Sequence, residues 1–223
     1  MRVFAHDAAG NDVMADASPE KEGAKGGIQR IVDTFFVVSL VPIWAPILGL
    51  ALLATWLKAG RPVFFTQVRM GLGGSSFRIF KIRTMDNGSA APEGVLFEGW
   101  TYANDPRVTR LGSWLRRYRV DELPQLINIL RGEMSLVGPR PEPFEIAQRL
   151  GTEIVHYHNR HDVRPGLTGL CQISAAYRDF GTVEKSARKL ELDLEYVRTR
   201  SVWLDLRIMV GTARIVLTGQ GMS

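Results

Sequence analysis

The strongest feature of the hydropathy pattern is an uncharged, apolar run over residues 35–57. At about 1.5 Å of rise per residue, a helix of this length reaches across the hydrocarbon core of a bilayer. Pro42 and Pro46 lie inside the run, and each predicts a kink because it removes a backbone hydrogen bond. Basic residues flank both ends, so their charge does not orient a spanning helix. Two topologies remain open: a kinked single span, and a helix that enters the membrane and returns to the same side.

The segments on either side of this run differ in composition. Residues 1–27 are rich in Ala, Asp, Glu, Gly and Lys without apolar periodicity, which predicts a disordered tail. Residues 28–60 contain the membrane-inserted, kinked helix. Residues 61–223 are long enough for one domain with a core of its own.

The chain carries 28 Lys and Arg against 23 Asp and Glu, a net charge of +5, which favours anionic partners such as lipid headgroups, nucleotides or nucleic acid. Few strands interleave aromatic and basic residues, and this argues against nucleic acid. Cys171 is the only cysteine, so an internal disulfide is excluded. A reducing compartment follows, and we expect the domain to face the cytoplasm.

Two β-rich runs, 62–70 and 77–85, flank a glycine-rich segment and predict a hairpin. Alternation along the second run puts Lys81 and Arg83 on one face, where they can hold one anion together. The alternative is a pair of solvated surface cations. Residues 86–104 follow as a loop, and we expect this loop and residues 172–186 to select the substrate.

Two further segments have helical periodicity. Residues 108–120 combine apolar positions with several arginines, the pattern of a basic amphipathic helix on an anionic membrane surface, and residues 201–218 have a similar pattern. In both cases the alternative is a helix that packs on a soluble core. The predicted fold class is α+β and mostly helical: an N-terminal re-entrant membrane helix, a small β-hairpin and interfacial amphipathic helices around a cytoplasmic catalytic domain.

Asp121 and Glu122 are two adjacent carboxylates at the predicted start of a helix that Gly132 ends. We expect Asp121 to cap this helix, with Pro124 in its first turn. The helix dipole would then keep both carboxylates ionised and would attract phosphate or a divalent cation. The alternative is a capping acid beside a solvated acid.

Two stiff loops downstream each present an arginine. Arg140 lies between Pro139 and Pro141, and Arg164 precedes Pro165. A guanidinium matches a phosphate or a carboxylate with two parallel hydrogen bonds. Each arginine is therefore a candidate anion ligand, and the alternative for each is a structural pair with an acid.

Several short motifs follow one another along the chain in an order that resembles a known family. They are Arg30-Ile31-Val32-Asp33, Pro62-Val63-Phe64-Phe65, Phe80-Lys81-Ile82-Arg83-Thr84-Met85, Asp105-Pro106-Arg107-Val108-Thr109, Asp121-Glu122-Leu123-Pro124-Gln125, Val137-Gly138-Pro139-Arg140-Pro141, Arg164-Pro165-Gly166-Leu167-Thr168-Gly169 and Leu192-Asp193-Leu194-Glu195-Tyr196-Val197. Their order resembles the bacterial sugar transferase family, the monotopic phosphoglycosyl transferases, from about residue 30 to residue 221.

The resemblance implies transfer of a sugar 1-phosphate from a nucleoside diphosphate sugar, for which we expect a UDP-sugar, to polyprenol (undecaprenyl) phosphate at the inner membrane. It implies that Asp121 is the nucleophile of a covalent aspartyl phosphosugar intermediate. Magnesium dependence is also implied; we assign the ion to Glu122, with Asp121 as a second ligand. The expected substrate-binding residues are Lys81, Arg83, Asp105, Arg107, Arg140, Arg164 and Asp193. For Asp193 the alternative is an ion pair with a nearby arginine.

One position departs from the family pattern. The serine expected before the helix-breaking proline is Ala45 here, so Pro46 lacks the hydroxyl that can bond to a freed carbonyl. Other functions remain open at this point: a non-enzymatic membrane-anchored scaffold, and a metal-dependent nucleotide-sugar enzyme without a lipid acceptor. The sequence leaves the sugar and the oligomeric state open.

Overall fold

The computed structural model of the protein describes residues 5–6, 12–13, 23–86, 105–174 and 183–218. Helices dominate these residues, in agreement with the predicted fold class. The helices are α1 (Gly23–Ser39), α2 (Val41–Ala59), α3 (Arg110–Arg117), α4 (Gln125–Arg131), α5 (Phe144–Glu153), α6 (Leu170–Ile173), α7 (Val183–Thr199) and α8 (Val202–Leu217). The strands are β1 (Ala5–His6), β2 (Asp12–Val13), β3 (Phe64–Met70), β4 (Ser76–Ile82), β5 (Ser135–Val137) and β6 (Gly166–Thr168).

Part of the segment predicted as a disordered tail is ordered. Helix α1 begins at Gly23, inside the segment predicted as a disordered tail, and β1 pairs antiparallel with β2 within the same segment. The disorder of the rest of the tail stays a prediction. Residues 87–104 and 175–182 lie outside the described residues, so the substrate-selecting role of the two predicted loops also stays a prediction.

The predicted hairpin is confirmed. Strands β3 and β4 pair antiparallel from Phe64 opposite Ile82 to Met70 opposite Ser76. The glycine-rich connection forms a short 3-10 turn at Leu72–Gly74. The edge of β4 that does not pair with β3 faces α4.

The apolar run is broken into two helices, α1 and α2. The break is at Leu40, two residues before Pro42 in the first turn of α2, whereas Pro46 lies inside α2. The predicted kink is therefore confirmed at the first proline, where the missing N–H cannot continue the preceding helix. By length and composition, α2 is the one helix among the described residues that could cross a membrane.

Both helices also pack on the rest of the protein. Val37 of α1 shares a core cluster with Ile79 of β4 and Leu126, Ile129 and Met134 around α4. A second cluster joins α2 to β4 and α3 through Ala51, Ile82 and Leu115. Each of these two helices thus has one face on the domain, while large apolar side chains such as Ile31 (72% exposed) and Leu50 (69%) point outward.

Thr109 caps the N-terminus of helix α3, since its side chain accepts a hydrogen bond from the Gly112 amide, and the helix ends sooner than predicted. A 3-10 turn at Val120–Glu122 follows, and Pro124 directly precedes α4. The prediction that Asp121 caps α4 is therefore wrong. Gly132 ends α4 with φ of 81°, as predicted for a left-handed cap.

Strands β5 and β6 form a short parallel pair that the sequence did not indicate. Ser135 lies opposite Gly166 and Val137 opposite Thr168. The pair brings the two arginine-bearing loops side by side. Gly138 is required there, because a Cβ atom on it would lie 2.4 Å from the carbonyl oxygen of Arg164.

The predicted C-terminal helix is confirmed as α8. Ile208 is buried, while Trp203, Val210 and Leu217 repeat every seven residues on the opposite, exposed face. That amphipathic pattern is what an interfacial helix requires. Its contact with a membrane stays a prediction.

Candidate active site

Asp121 and Glu122 lie together on the 3-10 turn between α3 and α4. Arg119 enters this turn in the left-handed conformation, with φ of 53°, and so reverses the chain direction after α3. Both carboxylates are turned into the protein, with 7% of Asp121 and 6% of Glu122 exposed. Burial of two adjacent acids is costly unless cations compensate their charge.

Three cations surround Glu122. Its Oε1 atom accepts hydrogen bonds from Lys81 Nζ at 2.9 Å and from Arg140 Nη2 at 2.8 Å, and Arg119 Nη1 lies 3.5 Å from Oε2. Burial opposes ionisation, but Arg140, Lys81 and Arg119 outweigh it and hold the pKa of Glu122 well below the ordinary value. Glu122 is therefore a fixed anion whose oxygens are already engaged.

Asp121 has the opposite environment. Within the part of the chain that the structure describes, neither of its carboxylate oxygens accepts a hydrogen bond. Burial and the neighbouring charge of Glu122 raise the pKa of Asp121, although Lys81, Arg116 and Arg140 partly offset this effect. This shift opposes the ionisation that was expected for both carboxylates at a helix end, and the ionised state of Asp121 stays a prediction. Its lone pairs remain available for bonding to a substrate, which is what a nucleophile requires.

Lys81 lies on β4 and faces the turn. Burial lowers the pKa of its ammonium group, while Glu122 counteracts the shift. Arg83, by contrast, lies just beyond the strand and donates hydrogen bonds to the carbonyl groups of Ala59 and Gly60 at the end of α2. The two cations predicted to hold one anion thus have different partners, and substrate binding by Arg83 stays a prediction.

Asp105 and Arg107 form a two-point ion pair. Arg107 Nε donates to Asp105 Oδ1 at 2.9 Å, and its Nη2 donates to Oδ2 at 2.7 Å. These hydrogen bonds lower the pKa of Asp105 despite its burial. The two residues therefore contact each other, and their expected role in binding substrate stays a prediction.

The loop that presents Arg140 is supported from behind by a buried ion pair. Arg160 Nη2 lies 2.6 Å from Asp193 Oδ2 and donates to the backbone carbonyl of Arg140 at 2.9 Å. Arg160 also donates to the hydroxyl of Tyr157. Asp193 thus forms the ion pair with an arginine that was the alternative to substrate binding. That arginine, Arg160, also holds the loop whose Arg140 reaches Glu122.

Two arginines hold the other end of α4. Arg164 Nε donates to the Gly132 carbonyl at 2.9 Å, and Arg30 of α1 donates to the carbonyl groups of Ile129 and Leu130. Such contacts satisfy the free carbonyl groups of a helix C-terminus. Substrate binding by Arg164 is untested and stays a prediction.

Sequence reasoning missed Arg116. Its Nε donates to Thr84 Oγ1 at 2.8 Å, and Asp121 and Asp105 are close enough to counteract the lowering of its pKa by burial. The amphipathic pattern of α3 assigned all its arginines to the membrane surface. The available signal was helical spacing, because Arg116 lies two residues after the exposed Trp114 and therefore on a different face of the helix.

The donor set bears on the expected magnesium. Mg²⁺ is usually held by one or two carboxylates, water and substrate phosphates. No group of three or more His, Cys, Asp and Glu side chains suited to a metal occurs among the described residues. The Asp121 carboxylate fits a single protein ligand beside a diphosphate, whereas both oxygens of Glu122 face cations. Assignment of the ion mainly to Glu122 would require Lys81 or Arg140 to move.

Comparison with known proteins gives the class of this fold and site. The family model "Bacterial sugar transferase" matches residues 24–219. The chain belongs to that family, as its motifs indicated.

Individual relatives are similar over most of this chain. A UDP-glucose:undecaprenyl-phosphate glucose-1-phosphate transferase of Caulobacter vibrioides is 40% identical over 190 residues, which cover 85% of this chain and 70% of the relative. An undecaprenyl-phosphate glucose phosphotransferase of Komagataeibacter xylinus is 41% identical, over 83% of this chain and 35% of the relative. A UDP-N-acetylgalactosamine-undecaprenyl-phosphate N-acetylgalactosaminephosphotransferase of Aeromonas hydrophila is 38% identical, over 87% and 44%. This chain thus spans less than half of the last two proteins.

Proposed function

We propose that this protein transfers a sugar 1-phosphate from a UDP-sugar to undecaprenyl phosphate, through a covalent intermediate on Asp121. The observation that carries the proposal is the contrast within the acid pair. Glu122 is held by three cations, whereas Asp121 is buried beside them and its carboxylate oxygens accept no hydrogen bond from the described residues. The names of the relatives supply the two substrates.

In the first step, a carboxylate oxygen of Asp121 attacks the phosphorus atom that carries the sugar. The bond from this phosphorus to the bridging oxygen of the diphosphate breaks, and uridine monophosphate leaves. In the second step, a phosphate oxygen of the lipid attacks the same phosphorus and displaces the Asp121 carboxylate. The product is the lipid diphosphate sugar, and neither step needs a general base because the attacking groups are already anionic.

The cations around the pair have a direct part in this chemistry. Phosphoryl transfer depends on positioning and on neutralisation of charge at the phosphate oxygens. Lys81 and Arg140 contact Glu122 and are also close enough to Asp121 to favour its ionised form, so both are placed to neutralise a phosphate that is bound at Asp121. Mg²⁺, bound with the diphosphate and Asp121, would add further charge neutralisation.

The membrane helices enter and leave from one side, the cytoplasmic side. Two contacts at opposite ends of the apolar segment support this topology. At one end, Asp33 accepts hydrogen bonds from Ser135 Oγ at 2.7 Å and from the Leu136 amide. At the other end, Arg83 contacts the carbonyl groups of Ala59 and Gly60. Because one compact domain cannot lie on both faces of a bilayer, α1 and α2 return to the face where they began.

Release of uridine monophosphate tests the proposal. Purified protein is incubated with UDP-glucose and UDP-N-acetylgalactosamine, with and without undecaprenyl phosphate. We expect repeated turnover only with the lipid and at most one equivalent of uridine monophosphate per protein without it. Repeated release without lipid would instead indicate a hydrolase, and no release with any UDP-sugar would favour a non-enzymatic scaffold.

A further inference from the structure

Asn128 is a fully buried polar residue of α4 that has no part in the chemistry described above. Its Oδ1 atom accepts a hydrogen bond from the Phe80 amide at 3.2 Å. Its Nδ2 atom donates to the Arg78 carbonyl at 2.8 Å and to Glu133 Oε2 at 2.6 Å. Both donors and one of the two acceptor positions of the side-chain amide are thus used inside the protein.

The contacts of Asn128 with β4 imitate strand pairing. The Arg78 carbonyl and the Phe80 amide lie on the edge of β4 that faces away from β3, since alternate residues direct their backbone groups to opposite edges. The side-chain amide of Asn128 bonds to both groups, as the peptide of a neighbouring strand would. The position of α4 along β4 is thereby fixed to within one residue.

This register determines where two site residues meet. Lys81 directly follows Phe80 on β4, and Glu122 lies on the turn that leads into α4. Packing of Ile79 on Leu126 and Ile129 also holds β4 against α4. Apolar contact is not directional, so it does not fix the position of one element along the other. The directional bonds of Asn128 therefore set the 2.9 Å approach of Lys81 Nζ to Glu122 Oε1.

We propose that Asn128 is a positioning residue that acts on catalysis through Lys81. The inference rests on the proposed function, because its effect is read from sugar-phosphate transfer. A loosened amide contact would let Lys81 move away from Glu122 and from the phosphate oxygens. A misplacement of about 1 Å at such a site costs up to about 100-fold in rate.

A double-mutant cycle with Asn128→Ala and Lys81→Met tests the inference. We expect Asn128→Ala to lower kcat by about 10- to 100-fold with little change in KM, and to have almost no effect when Lys81→Met is already present. Glu133→Gln is the matched control, since it leaves both strand contacts of Asn128 intact; its kcat should stay within about twofold of wild type.

The possible outcomes separate the two claims. Additive losses in the double variant would overturn the positioning role, because Asn128 would then act independently of Lys81. An inactive wild-type protein would instead refute the proposed function. If Asn128→Ala is recovered unfolded, the same cycle is run with Asn128→Asp, which keeps an acceptor for the Phe80 amide, and the same additivity criterion applies.

Discussion

The indole nitrogen of Trp44 lies 2.9 Å from the carbonyl oxygen of Val37, and this hydrogen bond spans the break between α1 and α2. A broken helix leaves carbonyl groups without partners, which is costly in or near lipid. The family pattern supplies a serine hydroxyl for that purpose, and this chain has Ala45 instead. Trp44 satisfies one freed carbonyl from the other side of the break.

Trp44→Phe should therefore weaken the break while keeping an aromatic ring in place. An unpaired buried carbonyl costs about 1–3 kcal/mol, so we expect a mixture of topologies. Single cysteines at Ser18 and Thr152, on either side of the apolar segment, are labelled with a membrane-impermeant thiol reagent in inverted vesicles. Both should react equally in the wild-type background, and Ser18→Cys should become partly protected with Trp44→Phe. Protection of Ser18→Cys in the wild-type background would contradict the one-sided topology.

Glu122→Gln should destabilise the protein. The substitution removes the carboxylate that both Lys81 and Arg140 contact, and loss of one partner from a buried ion pair costs about 3–5 kcal/mol. Denaturant unfolding gives the free energy directly. The control is Glu153→Gln, whose exposed pair with Arg149 should contribute about 0–1 kcal/mol.

The stabilisation by Glu122 also has a defined pH dependence. Because its folded-state pKa is depressed, its contribution is fully present above the ordinary value of 4.5 and is lost as the pH falls through the folded-state pKa. The difference in unfolding free energy between wild type and Glu122→Gln should thus be constant near pH 7 and shrink in acid. A difference that grows as the pH falls below 4.5 would argue against an ionised, cation-held Glu122.

The activity should report the raised pKa of Asp121. Attack requires the ionised carboxylate, so kcat/KM should decline in acid with a midpoint above the ordinary value of 3.8. Lys81→Met removes a cation that favours ionisation and should move this midpoint to higher pH. Glu122→Gln removes a like charge and should move it to lower pH. Shifts of both variants in the same direction would count against these assignments.

The buried pair of Arg160 and Asp193 should support both stability and the Arg140 loop. We expect Asp193→Asn to lower the free energy of unfolding by about 3–5 kcal/mol, because Arg160 is left without its counter-charge. The double variant Arg160→Met with Asp193→Leu should recover much of this stability but not the activity, since the Arg140 carbonyl loses its donor. Recovery of both would show that the pair serves stability alone.

Features with a local cause were predicted from the sequence. The hairpin, α3, α8 and the Gly132 cap each follow from spacing or from one backbone preference. The cap role of Asp121 was wrong, because the same acid is drawn into a separate 3-10 turn. Contacts between distant segments had no local signal: β5 meets β6, Asp193 meets Arg160, and Arg116 turns towards the acids. The helix could break at either of two prolines, Pro42 or Pro46, and the hydrophobic periodicity does not show at which one it breaks.

The central claim, a covalent bond between Asp121 and phosphorus, is tested most directly by mass spectrometry of the protein after rapid mixing with a UDP-sugar in the absence of lipid. We predict a mass increase equal to one sugar phosphate, located on the peptide that contains Asp121 and discharged on addition of undecaprenyl phosphate. The Asp121→Asn variant should show no mass increase. Because this substitution preserves the shape of the side chain, the loss of the adduct would be due to the loss of the carboxylate. Lipid-linked product from wild-type protein with no adduct at any time, or from the Asp121→Asn variant at an undiminished rate, would contradict the account.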